Sequence, residues 1–336
     1  MSTAHAQERM KMYFIGVSTK QSSIMKVFPL WMDEWGKSEV LLEGADLKLN
    51  DDPANYRRAV IQIKEDPKCH GALVTSHKIN LLKAARDLFD YLDPLAQLSG
   101  EVSCISKRQG KLQGYAKDPI SGGLSLNTLL RANYFARTGG EVLCLGAGGS
   151  TTALILHFSR RSHSGDRPRR MVIVNRSQQR IEELDHMVKS MNGLDIEFEY
   201  HCHQDSRRND QLMQNLPPGS LVINATGMGK DLPGSPITDE GLFPMNGVAW
   251  ELNYRGELQF LAQALAQRVE RNLVVEDGWV YFLHGWTQVI AQALDVKLDE
   301  SRFNRLAAIA EVIRPPAREL KSNAREAMRQ SGSPKV

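Results

Sequence analysis

The stretch EVLCLGAGGSTTALILHF, which begins at Glu141, constrains the fold more than any other part of this chain. A short apolar run, read as a strand, stops at a glycine-rich turn, and a longer apolar run, read as a helix, leaves it. That order opens a strand–helix–strand unit, and such units build parallel sheets covered by helices. RMVIVNRS is read as the next strand, and SLVINAT and GVAWELNY as two more. The connection RRSHSGDRPRR carries five arginines. The return from helix to strand lies at the amino-terminal edge of such a sheet, opposite the ligand edge, so this connection is read as a solvated loop.

The turn itself is a candidate ligand site. Gly146, Gly148 and Gly149, with Ala147 and Ser150, let the backbone turn tightly and bring a helix N-terminus close to a pyrophosphate. Thr151 holds the third fingerprint position in place of Gly or Ala, which leaves open a tight turn without a ligand. The end of the next strand separates the cofactors. An NAD site usually puts Asp or Glu there for the ribose hydroxyls. Here Asn175, Arg176 and Ser177 occupy it, followed by Arg180. Two guanidinium groups and a hydroxyl suit a 2′-phosphate, so NADP is the expected cofactor and NAD the alternative. The plainer reading of both arginines is exposed residues at a helix start.

The amino-terminal part follows the same alternation. A strand over Met12–Val17 precedes a polar loop, STKQSSIMK, and a Trp-rich helix, FPLWMDEWG. A short strand at Val40–Leu42, a helix over Ala54–Glu65 and a strand ending at Thr75 follow. Thr75, Ser76, His77 and Lys78 then gather groups that exchange protons at a strand's carboxyl end, ahead of a helix from near Ile79. SCISKRQGKLQGYAKD reads as an antiparallel hairpin finishing at Asp118. From Asp277 to about Ile313 the pattern is helical, and the tail RQSGSPKV is polar and read as disordered. Trp31 and Trp35, four apart on one helix, read as core or subunit contact and not as a ligand platform. His201 and His203 have a spacing that metals use, but no third ligand accompanies them. They are read as part of a surface strand after DIEFEY, and no metal is expected.

Bulk properties narrow the function. A chain of 336 residues fits about two domains. A formal charge of +3, with no Lys/Arg run interleaved with aromatics, excludes nucleic acid as the expected partner. No apolar run has the length of a membrane span, and the polar start MSTAHAQERMKM has no apolar signal core. The four cysteines form no CxxC pair and read as reduced thiols of a cytoplasmic protein.

Taken in order, these pieces resemble the shikimate/quinate dehydrogenase family. The matching motifs are Gly16 with Ser22; Val74, Thr75 and Lys78; Gly100 with Val102; and Gly114, Tyr115 and Asp118. VLCLGAGGS, VNRS, VINAT, Glu251 to Tyr254 and Asp277-Gly278 complete the series. The resemblance implies two α/β domains: a split substrate-binding domain, 11–120 completed by 277–315, facing a Rossmann-type NADP-binding domain, 121–276, across a cleft, with 316–336 as a tail. It implies Lys78 and Asp118 as the catalytic pair. It further implies substrate contacts from Ser22, Ser23, Thr75, His77, Ser103, Tyr254 and His284, and cofactor contacts from Thr226 and Gly278. His77 either tunes Lys78, touches the substrate or caps the helix, and Tyr254 either touches substrate or packs.

The chemistry of such a pair is plain. Oxidising a secondary alcohol sends hydride to the nicotinamide and requires an acceptor for the hydroxyl proton. Desolvation lowers a lysine's proton affinity into the working range, and a neighbouring carboxylate orients it and limits the shift. A cation at a helix N-terminus is electrostatically unfavourable, so something else must hold Lys78 there. Departures from the family pattern concern recognition. Leu73 stands where Asn is usual, the Thr75-to-Lys78 step is one residue short, and Ile24 replaces a carboxylate-binding serine, with Ser23 beside it. Ser103 replaces Asn, and the expected Gln falls on Gly285 or His284. The expected function is therefore NADP-linked oxidation or reduction of a small polyhydroxylated, carboxylated compound other than shikimate itself, by a monomer or homodimer. A ligand-binding or regulatory protein that kept the fold without turnover is the second reading.

Overall fold

A computed structural model describes residues 9–160, 164–191, 193–230 and 232–314. These form two compact units. One holds the chain up to Ser121 and resumes at Leu283–Arg314; the other holds Gly122–Phe282.

The first unit is built on a mixed six-stranded sheet. Its strands are β1 (Lys11–Gly16), β2 (Leu41–Asp46), β3 (Cys69–Val74), β4 (Tyr91–Leu92), β5 (Cys104–Arg108) and β6 (Lys111–Tyr115), in the order β2-β1-β3-β5-β6-β4. β2, β1 and β3 run parallel, β5 is antiparallel to β3, and β6 returns antiparallel to β5 as a hairpin. Alternation along each strand feeds two cores. Tyr13, Ile15 and Ile105 join Tyr56, Val60, Leu81 and Leu82 of the helices Pro53–Glu65 and Lys78–Ala85. Residues of opposite parity face the helix Trp279–Leu294. Phe14 meets Trp286 edge-on with centroids 4.8 Å apart, Ser106 Oγ donates to Gln292 O at 3.3 Å, and Arg108 Nη2 donates to the same carbonyl at 2.7 Å. Trp31 is fully buried and its Nε1 donates to Leu306 O at 2.7 Å, which makes the tryptophan pair core.

The second unit carries an all-parallel six-stranded sheet. Its strands are β7 (Val142–Leu145), β8 (Arg170–Asn175), β9 (Glu197–Cys202), β10 (Leu221–Asn224), β11 (Val248–Glu251) and β12 (Val274–Glu276). From one edge the order is β9-β8-β7-β10-β11-β12, the doubly wound order of dinucleotide-binding sheets. β7, β10 and β11 are buried throughout, as central strands covered on both faces must be. Leu145 pairs with Val174 on one side and Asn224 on the other, so the residues that follow these strands emerge together at one edge.

Several sequence expectations shift. β2 is six residues long, not three; it reads poorly because Glu43, Gly44 and Asp46 interrupt its apolar pattern on a largely exposed edge. The carboxyl-terminal helical stretch is two helices, Trp279–Leu294 and Glu300–Glu311, the second capped by Asp299, whose side chain accepts from Arg302 N at 2.9 Å. Arg170 of the arginine-rich connection opens β8 and pairs with Glu141 at 2.7 Å and Glu199 at 2.6 Å, so it is not a solvated loop residue. Residues 161–163 of that connection and the tail lie outside the described residues. Among the described residues, no helix is long and apolar enough to cross a membrane, and no group of three His, Cys, Asp or Glu is placed to hold a metal ion.

Candidate active site

The turn after β7 is shaped for close approach. Gly146 has φ +119°, and a β-carbon there would stand 2.6 Å from Ala225 O. Only glycine fits such a position. Thr151 is fully buried, and its Oγ1 donates to Gly146 O at 2.6 Å. The departure at the third fingerprint position thus ties the turn to its own helix and does not disturb it. Gly148 precedes the helix Gly149–Ser159, whose first N–H groups have no partner within the helix and form a place for anions.

A cavity of about 430 Å³ opens at this edge. Gly146, Ala147, Gly148, Asn175, Arg176, Arg180 and Thr226 all line it. Of the expected cofactor residues, Gly149 and Ser150 form the first helical turn, and Ser177 caps the helix Gln178–Ser190, its Oγ accepting from Arg180 N at 3.4 Å. Gly278 donates its N–H to Asn253 O at 3.0 Å and packs so closely on Leu252 O that no side chain would fit. No described carboxylate lines the cavity. His203 and Gln204 do line it, which sequence reading missed by assigning His203 to a surface strand. The loop after β10 is braced by Glu251, fully buried at the end of β11. Asn224 Nδ2 donates to it at 2.6 Å, and Asn253 donates through its N at 2.8 Å and its Nδ2 at 2.6 Å. Burial pushes Glu251 up to about 7, against these hydrogen bonds and with a smaller push from Asp277. Thr226 Oγ1 donates to Asn224 Oδ1 at 2.6 Å, carrying the brace to the cavity wall.

In the first unit, Lys78 opens the helix Lys78–Ala85 at the carboxyl end of β3, and Asp118 opens the helix Asp118–Leu129 after the hairpin. Lys78 Nζ donates to Asp118 Oδ2 in an ion pair whose side chains are 20% and 11% exposed. The carboxylate offsets the unfavourable helix-N-terminal placement of the cation. Val102 N donates to Lys78 O at 3.3 Å and Val74 N to Ser103 O at 2.9 Å, so β3, the hairpin and both helix starts converge here.

The comparisons with known proteins point one way. No protein-family model matches the chain. It is 27% identical over 236 residues to the shikimate dehydrogenase (NADP(+)) of Symbiobacterium thermophilum, which covers 69% of this chain and 72% of that one. The chain resembles shikimate dehydrogenases and diverges from them. Its fold is shared with shikimate 5-dehydrogenase from Thermus thermophilus, solved with NADP(H) and shikimate, at TM-score 0.62 and 21% identity over 90% of this chain and 99% of that one. It is shared equally with 5-ketofructose reductase of a Gluconobacter strain, at TM-score 0.64 and 19% identity over 91% and 99%.

Within this shikimate dehydrogenase-like chain the expected substrate residues divide. Thr75 Oγ1 donates to Ile15 O at 3.1 Å, and Ser103 Oγ accepts from Lys117 N at 2.7 Å and donates to Tyr115 O at 3.4 Å. Both hydroxyls hold backbone at the edge that carries Lys78. Ser22 and Ser23 are half-buried before the helix Ile24–Glu34, with Ser22 N donating to Thr19 O at 3.0 Å. His77 makes no capping bond; its ring is buried against Tyr56, Nδ1 lying 3.3 Å from the hydroxyl. Burial lowers its proton affinity, against the backbone of Gly16 and Leu47 and the charge of Asp51. His284 is buried too, its ring parallel to Phe303 at 4.0 Å, and burial pushes it down to about 4. Tyr254 packs on Phe282, centroids 4.5 Å apart, and on Trp279 at 5.5 Å. Ile24 and Leu73, which stand at polar positions of the family pattern, are core residues. Sequence reading also missed Glu101, wholly buried in the segment between Lys78 and the hairpin.

Proposed function

We propose that this chain is an NADP-dependent oxidoreductase that transfers hydride between the cofactor and a secondary alcohol of a small polyhydroxylated, carboxylated compound. The observation that carries the reading is the Lys78–Asp118 pair, an ammonium–carboxylate couple at a strand's carboxyl end. The fit to NADP rests on the other unit. Gly146 to Gly148 and the helix start at Gly149 would hold the pyrophosphate, and Arg176 and Arg180, with no described carboxylate beside them, the 2′-phosphate. When bound, the cofactor supplies the hydride acceptor or donor. In the oxidising direction the Lys78 amine takes the hydroxyl proton as the carbon loses hydride; in the reducing direction the ammonium returns it to the forming alkoxide. Asp118 holds the nitrogen in place and stabilises the ammonium.

The compound is read as shikimate- or quinate-like in size but not shikimate. Ile24 and Leu73 are buried apolar residues, and Ser103 is committed to the Lys117 and Tyr115 backbone. Each substrate hydroxyl left without its partner costs about 1–3 kcal/mol. The test is a scan for NADP⁺ and NAD⁺ reduction with shikimate, quinate and a panel of cyclitols and sugar acids. Turnover on one of them with NADP⁺ preferred is the expected result. Saturable NADP binding with no turnover across the panel would favour the binding-protein reading instead.

A further inference from the structure

Beside the pair lies a carboxyl group that the reaction above does not use. Glu101 is 1% exposed, and among the described residues neither Oε1 nor Oε2 has a hydrogen-bond partner. Its backbone is fixed: Glu101 N donates to Ser99 Oγ at 3.4 Å, and the next residue, Val102, donates its N–H to Lys78 O. The charged groups that act on it are Lys78 and Asp118, the residues that open the helices Lys78–Ala85 and Asp118–Leu129. Ionising a buried carboxyl that accepts no hydrogen bond is unfavourable. Burial accordingly pushes Glu101 up to about 8, with Lys78 opposing the shift and Asp118 adding to it.

We propose that Glu101 is a positioning residue of the Lys78–Asp118 pair, a third coupled ionisable group whose charge state sets how tightly Lys78 holds its proton. The inference rests on the reading of Lys78 as the proton carrier. With Glu101 neutral, the ammonium faces one carboxylate and the cluster is uncharged. With Glu101 ionised, the ammonium faces two, the cluster carries one negative charge, and Lys78 becomes a weaker donor and is slower to become a base. When Lys78 gives up its proton, Glu101 loses the cation that favoured its ionisation. It therefore holds its own proton more tightly and does not compete for the one being moved. Such coupling is reciprocal: the shift that Glu101 imposes on Lys78 equals the shift that Lys78 imposes on Glu101.

The test reads protonation directly, apart from turnover. In protein labelled isotopically at lysine and glutamate, NMR titration follows Lys78 Cε and Glu101 Cδ in wild type, Glu101→Gln, Glu101→Ala and Lys78→Met. In both Glu101 variants the Lys78 titration should move to lower pH by about one unit or more, the strength at which sites titrate as a pair. In Lys78→Met, Glu101 should move to higher pH by the same amount. The pH–rate profile for alcohol oxidation should shift down in the Glu101 variants in step with Lys78. Should Glu101→Gln not fold, the alanine variant and the reciprocal Lys78→Met titration decide. An unchanged Lys78 titration in a folded Glu101 variant, or an unchanged Glu101 titration in Lys78→Met, overturns the proposal. Titrations that shift as expected while Lys78→Ala keeps full turnover overturn the catalytic reading beneath it.

Discussion

Arg176 and Arg180 line the same cavity but are not equivalent. Arg176 is exposed, whereas Arg180 Nη1 pairs with Glu183 Oε2 at 2.9 Å, a carboxylate that competes with a phosphate for the guanidinium. Arg176→Asp should raise KM for NADP⁺ by roughly 10- to 100-fold, the equivalent of the ~1.5–3 kcal/mol of a charge-assisted contact. KM for NAD⁺ should barely change. Arg180→Ala should act in the same direction and less strongly, and steady-state kinetics with both cofactors measure this. Equal effects on the two would remove the 2′-phosphate assignment. At this scale the glycine turn, the arginines and the Lys78–Asp118 pair were legible in sequence, because short stretches of backbone and charge carry their chemistry. Glu101 and the burial of His284 were not. A glutamate in LSGEVS and a histidine in YFLHGW show nothing of their burial, which depends on segments remote in the chain.

The helices Trp279–Leu294 and Glu300–Glu311 are joined through a titratable contact, the stacked pair His284 and Phe303. His284 holds its proton less tightly in the fold, at about 4 against an ordinary 6.5. A group with a depressed folded value contributes stability above the unfolded value and loses it as pH falls. Unfolding below about 6.5 takes up a proton that the buried ring refuses, so the contribution fades between 6.5 and about 4. The melting temperature of wild type relative to His284→Leu should therefore fall across that interval, as read by thermal unfolding at a series of pH values. A constant difference would show that the ring does not titrate with folding. Apolar alternation and the hairpin turn made most of these elements legible. β4, β12 and the short helices Pro94–Ser99, Tyr134–Thr138 and Gln259–Ala266 escaped sequence reading, and β2 was read at half its length. They are short or lie at sheet edges, where packing and not local pattern decides the structure.

Across the whole molecule the proposed labour divides by unit: the cavity read as the cofactor site is lined by one, and the Lys78–Asp118 pair read as the proton carrier belongs to the other. Wild-type protein should turn over shikimate poorly, since Ile24 and Leu73 are packed into the core; initial rates against a cyclitol panel check this, and efficient shikimate oxidation would contradict it. Asp118→Asn should keep the shape and lose less rate than Lys78→Ala, with a lower apparent pKa in its rate profile. The double variant should fall far short of the summed losses, as a pair acting as a unit requires. The most direct measurement is kcat together with NADP affinity for Lys78→Ala. The expected result is a loss of about 10²–10⁴ in kcat with NADP binding nearly unchanged. Undiminished turnover in that variant would contradict it and leave Lys78 as scaffolding.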